Sequence, residues 1–355
     1  MQPIDAGGRF VIPVVTGDAH RAHDHPYELN NGTVVSPVYE RPQRVDVLRE
    51  ALAAAGHPLL EPTGHGPEPL LAVHEPGLVE FLAGAHDAWL AAGGPPAMIP
   101  DTFAAGGLAG GRARATASGL GRPGAWCFDT ATPVVAGTFG AAKAAVDVAL
   151  TGVDLLAGGE RAVYALCRPP GHHAGPAYYG GFCFLNNAAV AARALDGLGR
   201  VAILDVDFHH GNGTQEIFWE DPDVLYVSLH GDPDVHYPYF TGGADETGAG
   251  AGAGATRNFP LPDGTDDPVY LGILELAAET VDRFDPAVVV VSLGFDGYVD
   301  DPIGGFALTE AGFGGIGRRL GELGRPLLLV QEGGYAMQAL GANAVATMAG
   351  VAGTL

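Results

Sequence analysis

The sequence predicts an α/β protein: a single three-layer α/β/α domain with helices on both faces of a mostly parallel central sheet. Short continuous apolar runs recur with helical stretches between them, as strands covered on both faces require. In the second half each run opens into a polar segment, and the carboxyl edge of an open α/β sheet is where ligands bind. Of the 355 residues 47% are apolar and 17% charged, enough for a large core, and no linker composition divides the chain.

The first apolar run, residues 10–15, predicts a strand, and Pro13 places it at a sheet edge. A polar segment with His20, His23 and His25 follows. Three histidines so close suit a metal, but no matching ligands lie near them, and a solvated loop or channel wall fits as well. Helices are predicted over 45–55 and 78–90, the second with Leu78, Phe81 and Leu82 on one face. Residues 91–124, rich in Gly, Ala, Pro and Arg, form a long loop of a kind that is usually either functional or mobile. Helices over 137–149 and around Val153 lead to a strand at 162–167, a helix at 187–195 and strands at 200–207, 224–230, 287–293 and 327–331. The Gly/Ala alternation at 247–255 reads as a flexible loop.

Lys plus Arg number 18 against 41 Asp plus Glu, a net charge of −23 that argues against nucleic acid or an anionic membrane as partner and suits a cationic ligand. Three cysteines, Cys127, Cys167 and Cys183, fit a reducing compartment without a disulfide framework. The opening residues carry no signal-peptide pattern, and no apolar run reaches the roughly 20 residues that span a bilayer. A cytoplasmic protein is the expectation.

The segment 205–214, Asp-Val-Asp-Phe-His-His-Gly-Asn-Gly-Thr, closes the strand at 200–207. Strand alternation turns Asp205, Asp207 and His209 to one face and Val206 and Phe208 to the other. A lone Asp-x-His at a strand end ordinarily caps the next helix. Here five strands end in such groups: His172 and His173; Asp205, Asp207, His209 and Asn212; His230; Asp296; and Tyr335. Asp207, His209 and Asp296 can supply three metal ligands and leave a position open, as catalytic sites do. The set suits Zn²⁺ but also Fe²⁺, Co²⁺ or Mn²⁺. A second, bridged ion would need acids where Gly211 and Tyr298 stand, so one ion is expected. Such an ion brings the pKa of its water to about 7. His172 and His173 then supply acid–base chemistry, Asp205 orients one of them, and Tyr335 offers a hydroxyl to a developing oxyanion. The chemistry implied is hydrolysis of an amide or ester.

Arg168-Pro-Pro-Gly-His-His-Ala174, Gly181-Phe-Cys-Phe-Leu-Asn-Asn187, Asp205 to Thr214, Ser228-Leu-His230, Ser292-Leu-Gly-Phe-Asp296 and Glu332-Gly-Gly-Tyr335 resemble the histone deacetylase family of the arginase/deacetylase fold. The loops Leu229-His-Gly-Asp-Pro233, Tyr237-Pro-Tyr-Phe240 and Asp301-Pro302 are similar to those of its bacterial acetylpolyamine amidohydrolases. The likeness runs over nearly the whole chain. It implies that Asp207, His209 and Asp296 hold zinc, that His173 is the general base and that His172 acts electrostatically or as acid. It sets Asp205 behind His172 and Asn212 behind His173, where the family has Asp or Asn, so less negative charge falls on the base. Tyr335 matches the tyrosine that polarises the scissile carbonyl. Phe182, after Gly181, and Tyr237 match the aromatic walls of the substrate tunnel, where cation–π contact can stabilise an amine. Asp205, Ser228 and Leu229, with Asp207 and His209, resemble a structural potassium site.

The subgroup also carries acids facing the cationic tail of its substrate, and the positions aligned with them here hold Leu120 and Ala131, with Asp129 close by. Its long loop helps form a homodimer that narrows the entrance, a role open to residues 91–124. The resemblance thus implies removal of acetyl groups from small cationic N-acetylated amines, acetylpolyamines first, with acyl-lysine side chains of proteins as the alternative. A catalytically silent relative would lack a ligand or the tyrosine, and none is missing.

Overall fold

A computed structural model describes residues 10–104 and 116–355. The opening residues and the middle of the 91–124 loop therefore lie outside the described residues. The N-terminal part runs β1 (Val14–Val15), the hairpin β2 (Glu28–Asn30) and β3 (Thr33–Val35), α1 (Gln43–Ala54), β4 (Leu59–Leu60), α2 (Glu68–Leu71) and α3 (Pro76–Ala91). Next come α4 (Thr138–Ala157), β5 (Ala162–Ala165), α5 (Asn187–Ala194), β6 (Val201–Asp205), α6 (Asn212–Ile217), β7 (Val224–Gly231) and β8 (Thr256–Leu261). The chain closes with α7 (Asp267–Phe284), β9 (Val288–Leu293), α8 (Glu310–Glu322), β10 (Leu327–Gln331) and α9 (Met337–Ala352).

Eight strands form one parallel sheet in the order β4-β1-β5-β10-β9-β6-β7-β8. Strand alternation divides the core in two. Val163, Val288, Val290 and Leu328 pack with α3, α4 and α5 on one face. Tyr164, Val289, Val291 and Leu329 pack with α1, α7, α8 and α9 on the other. Burying each such side chain contributes roughly 1.5–3 kcal/mol, which is why the central strands read as unbroken apolar runs. The three layers are those expected from the sequence.

Several local expectations are corrected. Pro13 does not mark an edge, because β1 pairs with β4 on one side and β5 on the other. Pro13 stands just before this two-residue strand, so its missing N–H falls outside the ladder. The edges are β4 and β8, and Pro260 lies in the latter. The helices expected over 137–149 and near Val153 are one helix, α4, in which the Thr151 hydroxyl bonds back to the Asp147 carbonyl at 2.7 Å. Gly152 lies against Leu328, where a Cβ would come within 2.5 Å of its Cδ1, so the glycine lets helix and sheet approach rather than breaking the helix. The strand at 200–207 ends at Asp205. Residues 247–255 are tied down, with the Ala249 N–H on Trp219 O at 2.9 Å and the Gly254 N–H on Thr247 O at 2.7 Å.

His20, His23 and His25 are buried rather than solvated. Their segment is held by Arg168, which donates to the carbonyls of His20 (2.7 Å) and His23 (2.8 Å) and to Glu40 (2.8 Å). Glu40 also accepts from Arg44 at 3.0 Å, so one buried carboxylate joins α1 to the segment that follows β5. Burial alone would raise its pKa, but Arg168 and Arg44 hold it at about 2. Glu40→Gln, which leaves two buried guanidiniums without their anion, is expected to lower unfolding free energy by about 3–5 kcal/mol at neutral pH in urea titrations. A depressed pKa stabilises above the ordinary value of 4.5, so the difference should shrink as pH falls from there toward 2.

Candidate active site

Four adjacent strands, β5, β10, β9 and β6, end at the same edge, and their loops carry the polar clusters. Beyond the end of β6 the alternation persists in the loop. Val206 and Phe208 go into the core, while Asp207 and His209 turn toward Asp296, which follows β9. One ligating atom from each of Asp207, His209 and Asp296 falls within 4.8 Å of the others. His209 Nδ1 is 3.0 Å from Asp296 Oδ2 and 3.4 Å from Asp207 Oδ1. Backbone donors fix both carboxylates: Phe208 N–H on Asp296 Oδ1 (2.8 Å), and His209 N–H (2.9 Å) and Gly333 N–H (2.8 Å) on Asp207.

The two carboxylates titrate as a pair. Burial works against the Asp207 anion, but His172 and His209 hold it below the ordinary carboxylate range. Burial and the Asp207 charge push Asp296 above it. Burial opposes the charged form of His209 too, yet Asp207 and Asp296 raise its pKa to about 10. Two buried acids in contact form a field that a divalent cation satisfies, and the donor set fits Zn²⁺, Fe²⁺, Co²⁺ or Mn²⁺.

His172 and His173 adjoin this cluster, their ring centroids 4.0 Å apart. His172 Nδ1 is 3.1 Å from Asp205 Oδ2, and its Nε2 is 3.8 Å from Asp207 Oδ1. Burial disfavours its charge, but Asp207 and Asp205 override this and lift its pKa to about 10. His173 Nδ1 lies 2.7 Å from Asn212 Oδ1. An amide oxygen there accepts the Nδ1 proton and leaves Nε2 as the basic nitrogen. Burial and the neighbouring His172 and His209 charges hold His173 well below the ordinary imidazole range. The surroundings thus favour the charged form of one histidine and disfavour that of the other.

Tyr335 is buried, and burial pushes the pKa of its hydroxyl well up despite Arg44, whose guanidinium lies 4.7 Å from the ring centroid. A cavity of about 690 Å³ joins these groups to the surface, lined by His172, His173, Asp207, His209, Phe182, Tyr237 and Tyr335. Its mouth carries Phe103, Phe128, Tyr239 and Phe240, the last 95% exposed. Gly181 and Phe182 both take positive φ (57° and 65°), a turn that the non-glycine residue adopts only under outside constraint. That constraint comes from Asp129, accepting the Gly181 N–H at 2.6 Å, and from Thr132, accepting the Phe182 N–H at 3.0 Å. Asp129 also accepts the Tyr237 hydroxyl (2.8 Å) and the Ala131 N–H (3.0 Å), so its carboxylate is spent on protein donors. Ala131 lines the cavity and Leu120 is exposed.

Asp205 and Ser228 pair directly across β6 and β7. The Ser228 hydroxyl lies 2.7 Å from His230 Nδ1, whose other nitrogen is 2.9 Å from the Gly242 carbonyl, so His230 is a structural residue. The Leu229 side chain is core, leaving only its backbone for a cation. Cys183 donates to the Gly181 carbonyl at 3.2 Å, and burial pushes its thiol well up, which fits packing rather than nucleophilic use. His20, His23 and His25 do not line the cavity. Motif reading missed the supports of the site. Glu332 accepts the N–H groups of Gly171 (2.6 Å) and His172 (3.2 Å), and Arg44 donates to the carbonyls of Glu332 and Gly334 (both 2.7 Å). Only their adjacency to legible motifs, Glu332-Gly-Gly-Tyr335 and the start of α1, signals them.

The histone deacetylase domain is matched over residues 38–351, and the chain belongs to that family. It is a deacetylase of the amidohydrolase kind. It is 43% identical over 342 residues to acetylpolyamine amidohydrolase 2 of Pseudomonas aeruginosa, covering 96% of this chain and 98% of that one. Identity is also 43% over 348 residues with acetylpolyamine amidohydrolase of Mycoplana ramosa, covering 96% and 99%. The crystal structure of acetylpolyamine aminohydrolase from Burkholderia pseudomallei superposes with a TM-score of 0.91 at 38% identity, over 97% of this chain and 99% of that one. Among the described residues no helix is long and apolar enough to cross a membrane.

Asn212→Asp would place a full negative charge 2.7 Å from His173 and raise the pKa of that imidazole. If His173 acts as a base through its neutral ring, the acidic limb of the kcat/KM profile should move to higher pH by about one unit or more. An unmoved limb would show that His173 is not the group titrating there.

Proposed function

We propose that this enzyme is a zinc-dependent amidohydrolase that removes acetyl groups from small N-acetylated amines, with acetylpolyamines as the favoured class. The observation that carries the reading is that Asp207 and His209, clustered with the buried Asp296, line one cavity together with His172, His173 and Tyr335. A divalent ion held by the three ligands would supply Lewis acidity and a water whose pKa is near 7. Fe²⁺ or Co²⁺ would fit the same donors. His173 Nε2 takes the proton of the attacking water and, once protonated, can pass it to the leaving amine. The cationic His172, steadied by Asp205, favours negative charge developing beside it, and the Tyr335 hydroxyl donates to the carbonyl oxygen as that charge grows. Phe182 and Tyr237 flank the aliphatic stem of the amine.

Asp205 and Ser228, opposite each other on neighbouring strands, favour a structural potassium ion with Asp207, His209 and the backbone at Leu229. A homodimer that narrows the entrance belongs to the same proposal, and exposed Tyr239 and Phe240 offer apolar surface at the mouth for it. A cytoplasmic location agrees with three free, buried cysteines. One feature favours the second reading, action on acyl-lysine side chains of proteins: the carboxylates lining the cavity, Asp129 and Asp207, are both engaged by protein groups. In the acetylpolyamine reading the distal ammonium would rest on the aromatic mouth instead.

Turnover of acetylputrescine, acetylspermidine and an acetyl-lysine peptide, compared on zinc-loaded enzyme, tests the substrate. Higher kcat/KM on the acetylated amines is expected, and activity on the peptide alone would overturn the assignment. Tyr335→Phe is expected to keep the metal, measured by atomic emission, and to lower kcat by about 10²–10³-fold, the scale of one lost oxyanion donor. His209→Ala should lose both metal and activity.

A further inference from the structure

The loop after β9, residues 294–304, carries a second acid besides Asp296. It closes on itself through the Tyr298 N–H on Phe295 O (3.2 Å) and the Asp301 N–H on Tyr298 O (2.9 Å). This brings the buried Asp301 carboxylate against the loop after β10. There Oδ2 accepts the Tyr335 N–H at 2.7 Å and the Ala336 N–H at 3.0 Å, while Oδ1 accepts the Ile303 N–H of its own loop at 3.1 Å. A buried carboxylate is a costly acceptor for backbone N–H groups that a neutral oxygen could satisfy. What it adds is geometry, since one side chain with two acceptor oxygens takes three N–H groups from two loops and ties those loops together.

We propose that Asp301 is a positioning residue for Tyr335: its carboxylate fixes the backbone from which the phenol faces the Asp207–His209–Asp296 cluster. Asp296 and Asp301 belong to one folded loop, so the ligand and the anchor of the tyrosine are referenced to the same rigid body. The separation between hydroxyl donor and cluster is thereby set locally, although Tyr335 comes from a different strand.

The inference rests on Tyr335 as the oxyanion donor, and a double-mutant cycle on the full, zinc-loaded chain separates the two ideas. Asp301→Asn keeps the shape and one acceptor oxygen. It is expected to lower kcat by about ten- to a hundredfold with KM nearly unchanged, the scale of a misplacement on the order of 1 Å. In the Tyr335→Phe background, where no hydroxyl is left to aim, the same change should cost less than about threefold. Metal content should match the parent in both. Asp301→Ser, retaining a single hydroxyl acceptor, should show the same disappearance of its effect in the phenylalanine background. An equal loss in both backgrounds, no loss beside an intact tyrosine, or release of the metal would overturn the positioning role. An intact kcat in Tyr335→Phe alone would instead overturn the donor role, and this inference with it.

Discussion

Two acids of like charge, Asp207 and Asp296, lie buried against a single imidazole, and the surrounding structure is arranged to tolerate them. Neither would stay ionised in a dry core without help. Three backbone N–H groups supply part of it, from Phe208, His209 and Gly333, and all three belong to loops at strand ends. Inside a strand those N–H groups would be committed to the ladder. At the carboxyl edge of a parallel sheet they are free to point at side chains. This explains why the cluster sits where it does, and why Glu332 and Asp301 find backbone donors in the same loops.

The division of labour between His172 and His173 follows from what stands behind each ring. Both are buried among the same neighbours and differ by one position. Behind His172 lies a carboxylate, Asp205; behind His173 lies an amide, Asn212. The anion keeps one ring protonated, while the neutral acceptor orients the other without charging it, and the first ring's charge then suppresses protonation of the second. Two rings of opposite charge preference thus arise from the residues behind them, Asp205 and Asn212.

Much of this was legible in the chain. The unbroken apolar runs named the central strands, and the period-two spacing of Asp205, Asp207 and His209 foretold their common side even though the strand stops at Asp205. For the remaining groups the resemblance implied roles that no local pattern of the chain suggests. What stayed hidden were contacts without local period: Glu40 with Arg168, Arg44 with Gly334, Asp129 with Tyr237. Such pairs leave no pattern in a window of sequence. The last helices were obscured for another reason. α8 is dense in glycine, which argues against a helix on propensity, yet a Cβ at Gly317 would meet the Thr347 carbonyl at 2.0 Å. Those glycines serve the close approach of α8 and α9. The edge strand β4, two residues long, is too short to carry a signal.

The order of strands has a consequence for how the molecule comes into being. β9 and β10 are inserted between β5 and β6, which precede them in the chain. During synthesis the earlier strands emerge with a gap two strands wide; the β6 flank meets its partner once β9 is made, and the β5 flank only once β10 is made. The histidines and the first two acids are translated well before Asp296 and Tyr335, so a nascent chain holds only fragments of the centre. The two strands that close the sheet, β9 and β10, also lead into Asp296 and Tyr335, so the same late stretches of chain complete both the sheet and the cluster.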